Sequence, residues 1–480
     1  MAAPKRPTTL IVAPLLAQES LYVGIDIGKQ GHVAGFVSIT LLARHERFEG
    51  CPVLTFANAR EGFRQLVDRI RTYVPLEQCV VLMDKTGHDH MALHDDLLDL
   101  DVSVHVMHVQ ARPRGLLKTD KRDALGLANH LYNQLEKGIQ VSDKTQLVRR
   151  ALPATEAATL LRSLVRHRYE LVHESTRRTN KLTALCDQLF PAYTQVFKDP
   201  HGACALAIRA SFPTPHAVAT AHVTALTAVR VGSRPSNAGL AALQRLAAQS
   251  IGVTNAARQR SLVFEQAQLI RALRLIREHL DQLDGEIAQI VARSREGHIL
   301  TSIPSIGAVH AAAIIAAIGN IDNAPTAATL KSYVGWAPHV TQTGVTADRA
   351  RLSRAGTRTM KEMMFLIVAR AIRHGGEFAC LYERLVPVTC AYDERTRSYK
   401  GKMKVVGRVA GQMMTLIYAL LKTDADRLAR SPAGGEEPAP MLYDPVVHHA
   451  HCHGTYRSSK PRPTPSTVIA LPKGSPLSPA

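Results

Sequence analysis

Three shortages bound what this chain can be. No uninterrupted apolar run reaches the roughly 18 residues that a membrane-crossing helix needs, so the sequence offers no helical membrane span. Cysteine is sparse and scattered: Cys51, Cys79, Cys186, Cys204, Cys380, Cys390 and Cys452 form no CxxC pair and no metal-ligand spacing. An odd, dispersed set argues against a disulfide framework or a zinc site and suits a reducing cytosol. Acidic side chains are also short, 40 Asp and Glu against 59 Lys and Arg, which leaves a net charge of +19 and a pI near 9.8. The basic residues run through the whole chain rather than gathering in one tail, and this points to a polyanionic partner. Near the start, Lys5-Arg6 and the run from Thr9 to Ala17 have a faint look of a secretory leader. The run is short, broken by Pro14 and followed at once by a strand signal, so an intracellular protein is expected.

The chain's length gives room for about three domains. Residues 1–20 read as a tail. From 21 to 140, strand and helix signals alternate: Leu21–Ile27, His32–Leu42 and Pro52–Phe56 as a meander, a helix around Gly62–Tyr73, and a strand closed by Asp84. Helix His90–Leu100, strand Val102–Val109 and a helix opened by Asp120 complete an α/β sheet domain. Residues 141–295 read as helical, with short helices and irregular turns from Pro200 to Ile251. Leu269, Leu273, Ile276, Leu280, Leu283, Ile287 and Ile290 step by four and three, a heptad seam that Gln266 interrupts. Such a seam packs on a neighbouring helix of the same chain or on a second copy. Residues 296–430 form an Ala-rich helical unit. Residues 431–480, dense in proline, glycine and serine, are expected to be disordered. His448, His449, His451, Cys452 and His453 in that tail read as solvated rather than metal-binding.

Four aspartates carry the chemistry. Asp26 ends the apolar run Leu21–Ile25, and Asp84 ends Cys79–Met83. Asp120 and Asp123, within Lys118-Thr119-Asp120-Lys121-Arg122-Asp123, sit three apart and so share a helix face. Each alone has an ordinary explanation as a cap or a strand end. Together, carboxylates at two strand ends and one helix start can converge and hold Mg²⁺ or Mn²⁺, and paired ions clamp the attacking and leaving oxygens of a phosphodiester. Lys118, Lys121 and Arg122 beside them would hold phosphates.

Two further motifs lie in the helical unit. Ser302-Ile303-Pro304-Ser305-Ile306-Gly307 ahead of Ala311–Ile318 looks like the turn of a helix-hairpin-helix, whose backbone N–H groups suit DNA phosphates at Gly307. Ordinary packing of an Ala-rich helix pair explains it as well. Next, Tyr333-Val334-Gly335-Trp336-Ala337-Pro338 leads to Thr341-Gln342-Thr343-Gly344 and a basic run, Arg349, Arg351, Arg354, Arg358 and Lys361. A hydroxyl beside glycine among arginines suits a nucleophile toward a phosphodiester, with the arginines stabilising its developing charge. A polar turn before a basic helix is the plainer account.

Taken together, these motifs resemble a transposase of the insertion-sequence one-hundred-ten family, kin to the Piv DNA invertases. The resemblance runs through Tyr22–Asp26, Thr86-Gly87 and Lys118–Asp123 in the first block. In the second it runs through Ile303–Gly307, Tyr333–Pro338, Thr343-Gly344 and Gly356-Thr357. It implies an RNase H-like (RuvC-like) domain carrying an Asp-Glu-Asp-Asp set, a helical coiled-coil middle and a helical transposase domain with a nucleophilic serine. It further implies a recombinase of the bacterial nucleoid, working as a dimer or tetramer on donor and target DNA and guided by a bridge RNA. Serine attack would leave a covalent protein–DNA link, and the composite site would join the acids of one subunit to the serine of another. On this chain the metal set is Asp26, Asp84, Asp120 and Asp123 and the nucleophile position is Thr343, with Ser353 as a fallback. Asp84 stands where the family has glutamate, one methylene longer, and Thr343 where it has serine; the extra methyl restricts χ1. Two other readings stand beside this one: a structure-selective nuclease that needs only the acids, and an inactive nucleic-acid-binding relative.

Overall fold

The computed structural model describes residues 15–16, 18–84, 89–107, 119–138, 152–250, 252–341, 349–352, 356–432 and 435–455. The chain divides into two compact units, residues 1–153 and 154–480.

The first unit is built on a five-stranded mixed sheet. Its strands are β1 (Leu21–Asp26), β2 (Gly31–Val37), β3 (Val53–Ala57), β4 (Cys79–Asp84) and β5 (Ser103–Met107), in the order β3-β2-β1-β4-β5. β1, β2 and β3 pair antiparallel, and β4 and β5 join parallel. This order and sense is that of an RNase H-like sheet. Around it lie α1 (Ile39–His45), α2 (Arg60–Arg71), α3 (Met91–Asp99) and α4 (Asp120–Leu135). The second strand is shorter than the expected His32–Leu42. Ser38 accepts a hydrogen bond from the Leu41 N–H at 3.1 Å and caps α1, which turns the rest of that apolar stretch into helix.

The second unit is mostly helical. α5 (Glu156–Leu189) and α10 (Ala256–Arg293) form a long hairpin. Between them lie the short helices α6 (Ala203–Ser211), α7 (Pro215–Thr220), α8 (Val223–Thr227) and α9 (Asn237–Ala248), packed round Tyr193, Ile208 and Leu243. Two residues of the heptad seam pack within the same chain: Leu273, beside Ile270, meets Leu182 of α5 and Leu206 of α6, and Ile287, beside Val291, packs with Leu161 of α5 at the other end.

Gln266, which breaks the seam, has a partner that the sequence did not point to. The Arg209 guanidinium, on α6, is buried and donates to the Gln266 side-chain oxygen at 3.0 and 2.7 Å and to the Leu182 carbonyl at 3.0 Å. Its acceptors are neutral oxygens, so burial dominates and lowers the Arg209 pKa.

The remainder comprises α11 (Arg295–Thr301), α12 (Ala308–Ile318), α13 (Ala327–Tyr333), α14 (Arg358–His374), α15 (Glu377–Thr389), α16 (Met403–Ala429) and α17 (Pro445–Thr455). Two short hairpins interrupt the helices, β6 (Pro338–Thr341) with β7 (Arg349–Leu352), and β8 (Ala391–Asp393) with β9 (Ser398–Lys400).

The tail departs from expectation. Rather than lacking structure from 431 onward, residues 438–444 form a strap on this unit and α17 follows. Buried Asp424 accepts from Arg295 at 2.6 and 2.9 Å and from the Met441 N–H at 2.9 Å, while Arg295 also donates to the Pro438 carbonyl at 2.7 Å. Tyr443 and Met441 pack against the core, and the Tyr443 N–H reaches Ser302 at 2.9 Å. Polar anchors from α11, α16 and Ser302 hold a proline-rich segment whose composition alone suggests solvent.

Candidate active site

The site in the first unit is set by how α4 lies on the sheet. Thr119 caps this helix, accepting from the Arg122 N–H at 3.3 Å, so neither Asp120 nor Asp123 is needed as the cap. Both acids sit in the first turn, where the helix dipole favours negative charge. Ala124, Leu127 and Ala128 press on Gly24 of β1. A Cβ at Gly24 would lie 2.2 Å from the Ala124 carbonyl oxygen and 2.3 Å from the Ala128 nitrogen. Gly35, the direct partner of Gly24 in β2, admits Leu125 in the same way: a Cβ at Gly35 would lie 2.8 Å from the Leu125 backbone nitrogen. In-strand glycine is a signal of close backbone approach that was readable from the sequence.

α4 runs antiparallel to β1. Further back along the strand, Tyr22 meets the helix's far end: its ring stands 5.6 Å from that of Tyr132, and its hydroxyl donates to Glu136 at 2.6 Å. Burial, then the Glu136 hydrogen bond and charge, push the Tyr22 hydroxyl well above its ordinary pKa. In the other direction, two residues beyond Gly24 and on the same face, is Asp26. One helical turn before Ala124 and Leu127, on the face that meets Gly24, are Asp120 and Asp123. Leu82 pairs with Gly24 in parallel register, and Ile25 pairs with Met83. Asp84 therefore stands beside Asp26 at the carboxyl ends of neighbouring strands, on the face that α4 covers.

All four acids thus share one face and one end of the sheet. Asp26, Asp84 and Asp123 are half-buried and Asp120 is exposed. Hard carboxylate oxygens in such a set suit Mg²⁺ or Mn²⁺. As placed, no three histidine, cysteine or acidic side chains among the described residues close around a single point. Arg122 donates to Glu49 at 3.4 Å, a half-exposed pair worth at most about 1 kcal/mol. Lys121 is exposed beside it. Lys118 and Thr86-Gly87 lie outside the described residues.

In the second unit, a short turn joins α11 to α12 at the stretch where the sequence suggests a helix-hairpin-helix. Ile303 and Ile306 are buried, Ser305 takes a positive φ of 78°, and Gly307 begins α12 with no side-chain cap. Nothing stands within 4 Å of a Cβ placed on Gly307, so packing does not demand the glycine, and an outside group can approach its backbone. His310, one turn on, is held below its ordinary pKa by burial and by the charges of Arg370 and Arg168.

The β6–β7 hairpin brings Arg349 opposite Thr341 and Arg351 opposite His339. Its neck is closed by two glycines with positive φ, Gly335 at 82° and Gly356 at 90°. A Cβ on Gly356 would lie 2.4 Å from the Gly335 backbone. Thr343, between the two strands, lies outside the described residues, as do Ser353 and Arg354. Arg358 opens α14 and donates to Glu362 at 2.8 Å; that hydrogen bond and charge raise its pKa. Glu362 also accepts from Tyr169 at 2.7 Å. Burial pushes the Glu362 carboxyl up, but these two partners outweigh it and hold it below the ordinary value.

Family profiles match stretches of both units. A family profile described as "Transposase IS116/IS110/IS902 family" matches residues 297–383. A second, described as "Transposase" and representing the DEDD domain of the IS110 type, matches residues 23–191. "Insertion element IS110 uncharacterized 43.6 kDa protein" of Streptomyces coelicolor is 29% identical over 170 residues, 35% of this chain and 39% of that relative. "Insertion element IS116 uncharacterized 44.8 kDa protein" of Streptomyces clavuligerus is 23% identical over 370 residues, 75% of this chain and 86% of that relative. The two profiles fall in order, one over the α/β unit with its four acids and on through α5, and one over the stretch of the helical unit that holds the glycine turn. This chain belongs to the IS110/IS116 family of transposases, with a DEDD domain followed by the family's C-terminal transposase domain.

Proposed function

We propose that this chain moves an insertion sequence by cleaving and exchanging DNA strands through a covalent protein–DNA intermediate. The observation that carries the reading is the register of β1 and β4, which sets Asp26 beside Asp84, together with the seating of α4 on Gly24, which brings Asp120 and Asp123 to the same end. Asp26, Asp84, Asp120 and Asp123 hold the cation. Mg²⁺ or Mn²⁺ bound there would supply charge neutralisation and polarisation at the scissile phosphate. Lys118, Lys121 and Arg122 hold the flanking phosphates.

Thr343 is the proposed nucleophile. Its hydroxyl oxygen bonds to phosphorus, the bond from phosphorus to a deoxyribose oxygen breaks, and the released sugar oxygen takes up the proton. Arg349, Arg351, Arg354 and Arg358 stabilise the charge on the reacting phosphate, and Gly307 binds backbone further along. Attack by a strand hydroxyl on the linked phosphate would release the threonine and complete the exchange. A bridge RNA that pairs with donor and target DNA, and an assembly of two or four copies completing each site, follow from the family resemblance. Exposed Phe264 (66%) and Leu275 (51%), eleven residues and so three turns apart on α10, offer a second seam for that assembly.

The test is to combine purified protein with the RNA flanking its gene, donor and target DNA and Mg²⁺, and to look for a protease-sensitive protein–DNA adduct. An adduct mapped to Thr343 supports the proposal, and one at Ser353 moves the nucleophile while keeping the function. Cleaved DNA without an adduct would indicate a structure-selective nuclease. Binding with neither product would indicate an inactive relative.

A further inference from the structure

The β8–β9 hairpin lies outside both stretches matched by the family profiles, which end at residues 191 and 383. It is short, three residues a side, with Tyr392 opposite Tyr399 and Asp393 opposite Ser398. Tyr399 packs against the core of its unit and anchors the ribbon, while Tyr392 stands edge-on to it at 5.1 Å and stays 53% exposed. Glu394, Arg395, Thr396 and Arg397 form the exposed tip. The tip is fixed from within: Asp393 accepts from the Arg395 N–H at 3.1 Å, and the Thr396 and Ser398 hydroxyls lie 3.0 Å apart.

Arg397 closes the four-residue loop with a φ of +47°, the left-handed conformation with which short hairpin loops commonly end, so its backbone is explained by the turn. Charge runs one way. Arg395, Arg397, Lys400, Lys402, Lys404 and Arg408 face only Asp393 and Glu394 between positions 391 and 408, and Asp393 is taken by Lys400.

We propose that this ribbon is a duplex-DNA contact, with Arg395 and Arg397 on phosphates and the two strands entering the major groove. The proposal rests on the DNA-recombinase reading given above. Strands about 4.8 Å apart and rising about 3.3 Å per residue give a tongue about 10 Å long. The major groove of B-DNA is about 12 Å wide and 8.5 Å deep and accepts a two-stranded ribbon. The corresponding groove of A-form RNA is too narrow to be entered, so DNA rather than RNA is the ligand.

The experiment is a salt titration of the full-length protein on a short DNA duplex and on an RNA duplex of the same sequence, read by fluorescence anisotropy. Each phosphate contact contributes about 0.9 to the slope of log K against log salt. Arg395→Ala with Arg397→Ala should therefore flatten the slope on DNA by about 2 and leave that on RNA unchanged. Glu394→Lys should tighten DNA binding and steepen the slope by about 1, a gain that a misfolded protein does not produce. An unchanged slope on DNA, or a change confined to RNA, overturns the proposal. The adduct assay on the wild-type chain separates the two readings. A normal adduct with unchanged slopes removes the ribbon contact alone, and altered slopes without any adduct or cleavage remove the recombinase reading alone.

Discussion

Replacing Gly24 by alanine tests whether α4 sets the acidic site. The new Cβ would lie 2.2 Å from the Ala124 oxygen, 2.3 Å from the Ala128 nitrogen and 2.7 Å from the Leu127 Cβ. These are main-chain atoms or a Cβ fixed to one, so no side chain can swing aside. Carbon contacts settle at about 3.5 Å or more, and the helix must withdraw by roughly 1 Å to admit the methyl. Overpacking of this kind costs about 1–3 kcal/mol, which an α/β domain of this size survives. The same displacement carries Asp120 and Asp123, one turn away, off Asp26 and Asp84, and a misplacement of about 1 Å at a reacting centre costs on the order of 100-fold in rate. Gly24→Ala should therefore fold, lose about 1–3 kcal/mol in urea unfolding, bind Mn²⁺ more weakly by electron paramagnetic resonance and form adduct about 100-fold more slowly. Gly285→Ala is the control. Its Cβ meets nothing within 4 Å in α10, and a helix gains about 1 kcal/mol from that exchange. If Gly24→Ala loses the expected stability but keeps Mn²⁺ affinity and adduct rate, α4 does not position the acids.

Three other predictions follow from particular contacts. Asp84→Glu restores a methylene, about 1.5 Å of reach, and should tighten Mn²⁺ binding and speed adduct formation; weaker binding would place Asp84 away from the cation. Gln266→Leu makes the α10 seam more apolar yet strands the buried Arg209 charge, so it should cost about 2–3 kcal/mol. Adding Arg209→Leu should return most of that loss, and strictly additive costs in the double-mutant cycle would show that the two do not act as a pair. Asp424→Ala removes the nearer carboxylate from the partly exposed Arg295, leaving Glu437 at 3.9 Å, and should cost about 1–3 kcal/mol. It should also open the bonds around Arg427 and Arg430 to trypsin, and unchanged digestion would mean that the strap is held by its apolar contacts alone.

What the sequence reveals here depends on how far a residue's reasons extend along the chain. The strands of the first unit are local facts: Leu21–Ile25 and Cys79–Met83 are buried on both faces, and an unbroken apolar run follows from that. The opening of α4 is local too, in Thr119 and the acids after it. Ser38 is a local signal of another kind, since a cap three residues ahead of Leu41 overrides the β preference of its neighbours. Gly24 and Gly35 are intermediate. Their presence in strands announces a close approach, but only the fold names α4 as the visitor.

Gln266 lies at the far end of this scale. As a sequence feature it is a flaw in a heptad, and it becomes intelligible only through Arg209, 57 residues away. The proline-rich strap is the same lesson for composition. Pro438 and Met441 are held by Arg295 and Asp424, two residues of distant helices that give no advance sign of a partner. The two hairpins of the second unit escape notice because three or four residues are too few to show a period of two. The residues that evade a local reading are thus those whose partners lie elsewhere in the fold. On the β8–β9 ribbon, six basic side chains meet only Asp393 and Glu394 between positions 391 and 408, and duplex DNA is the proposed partner whose charge would balance them.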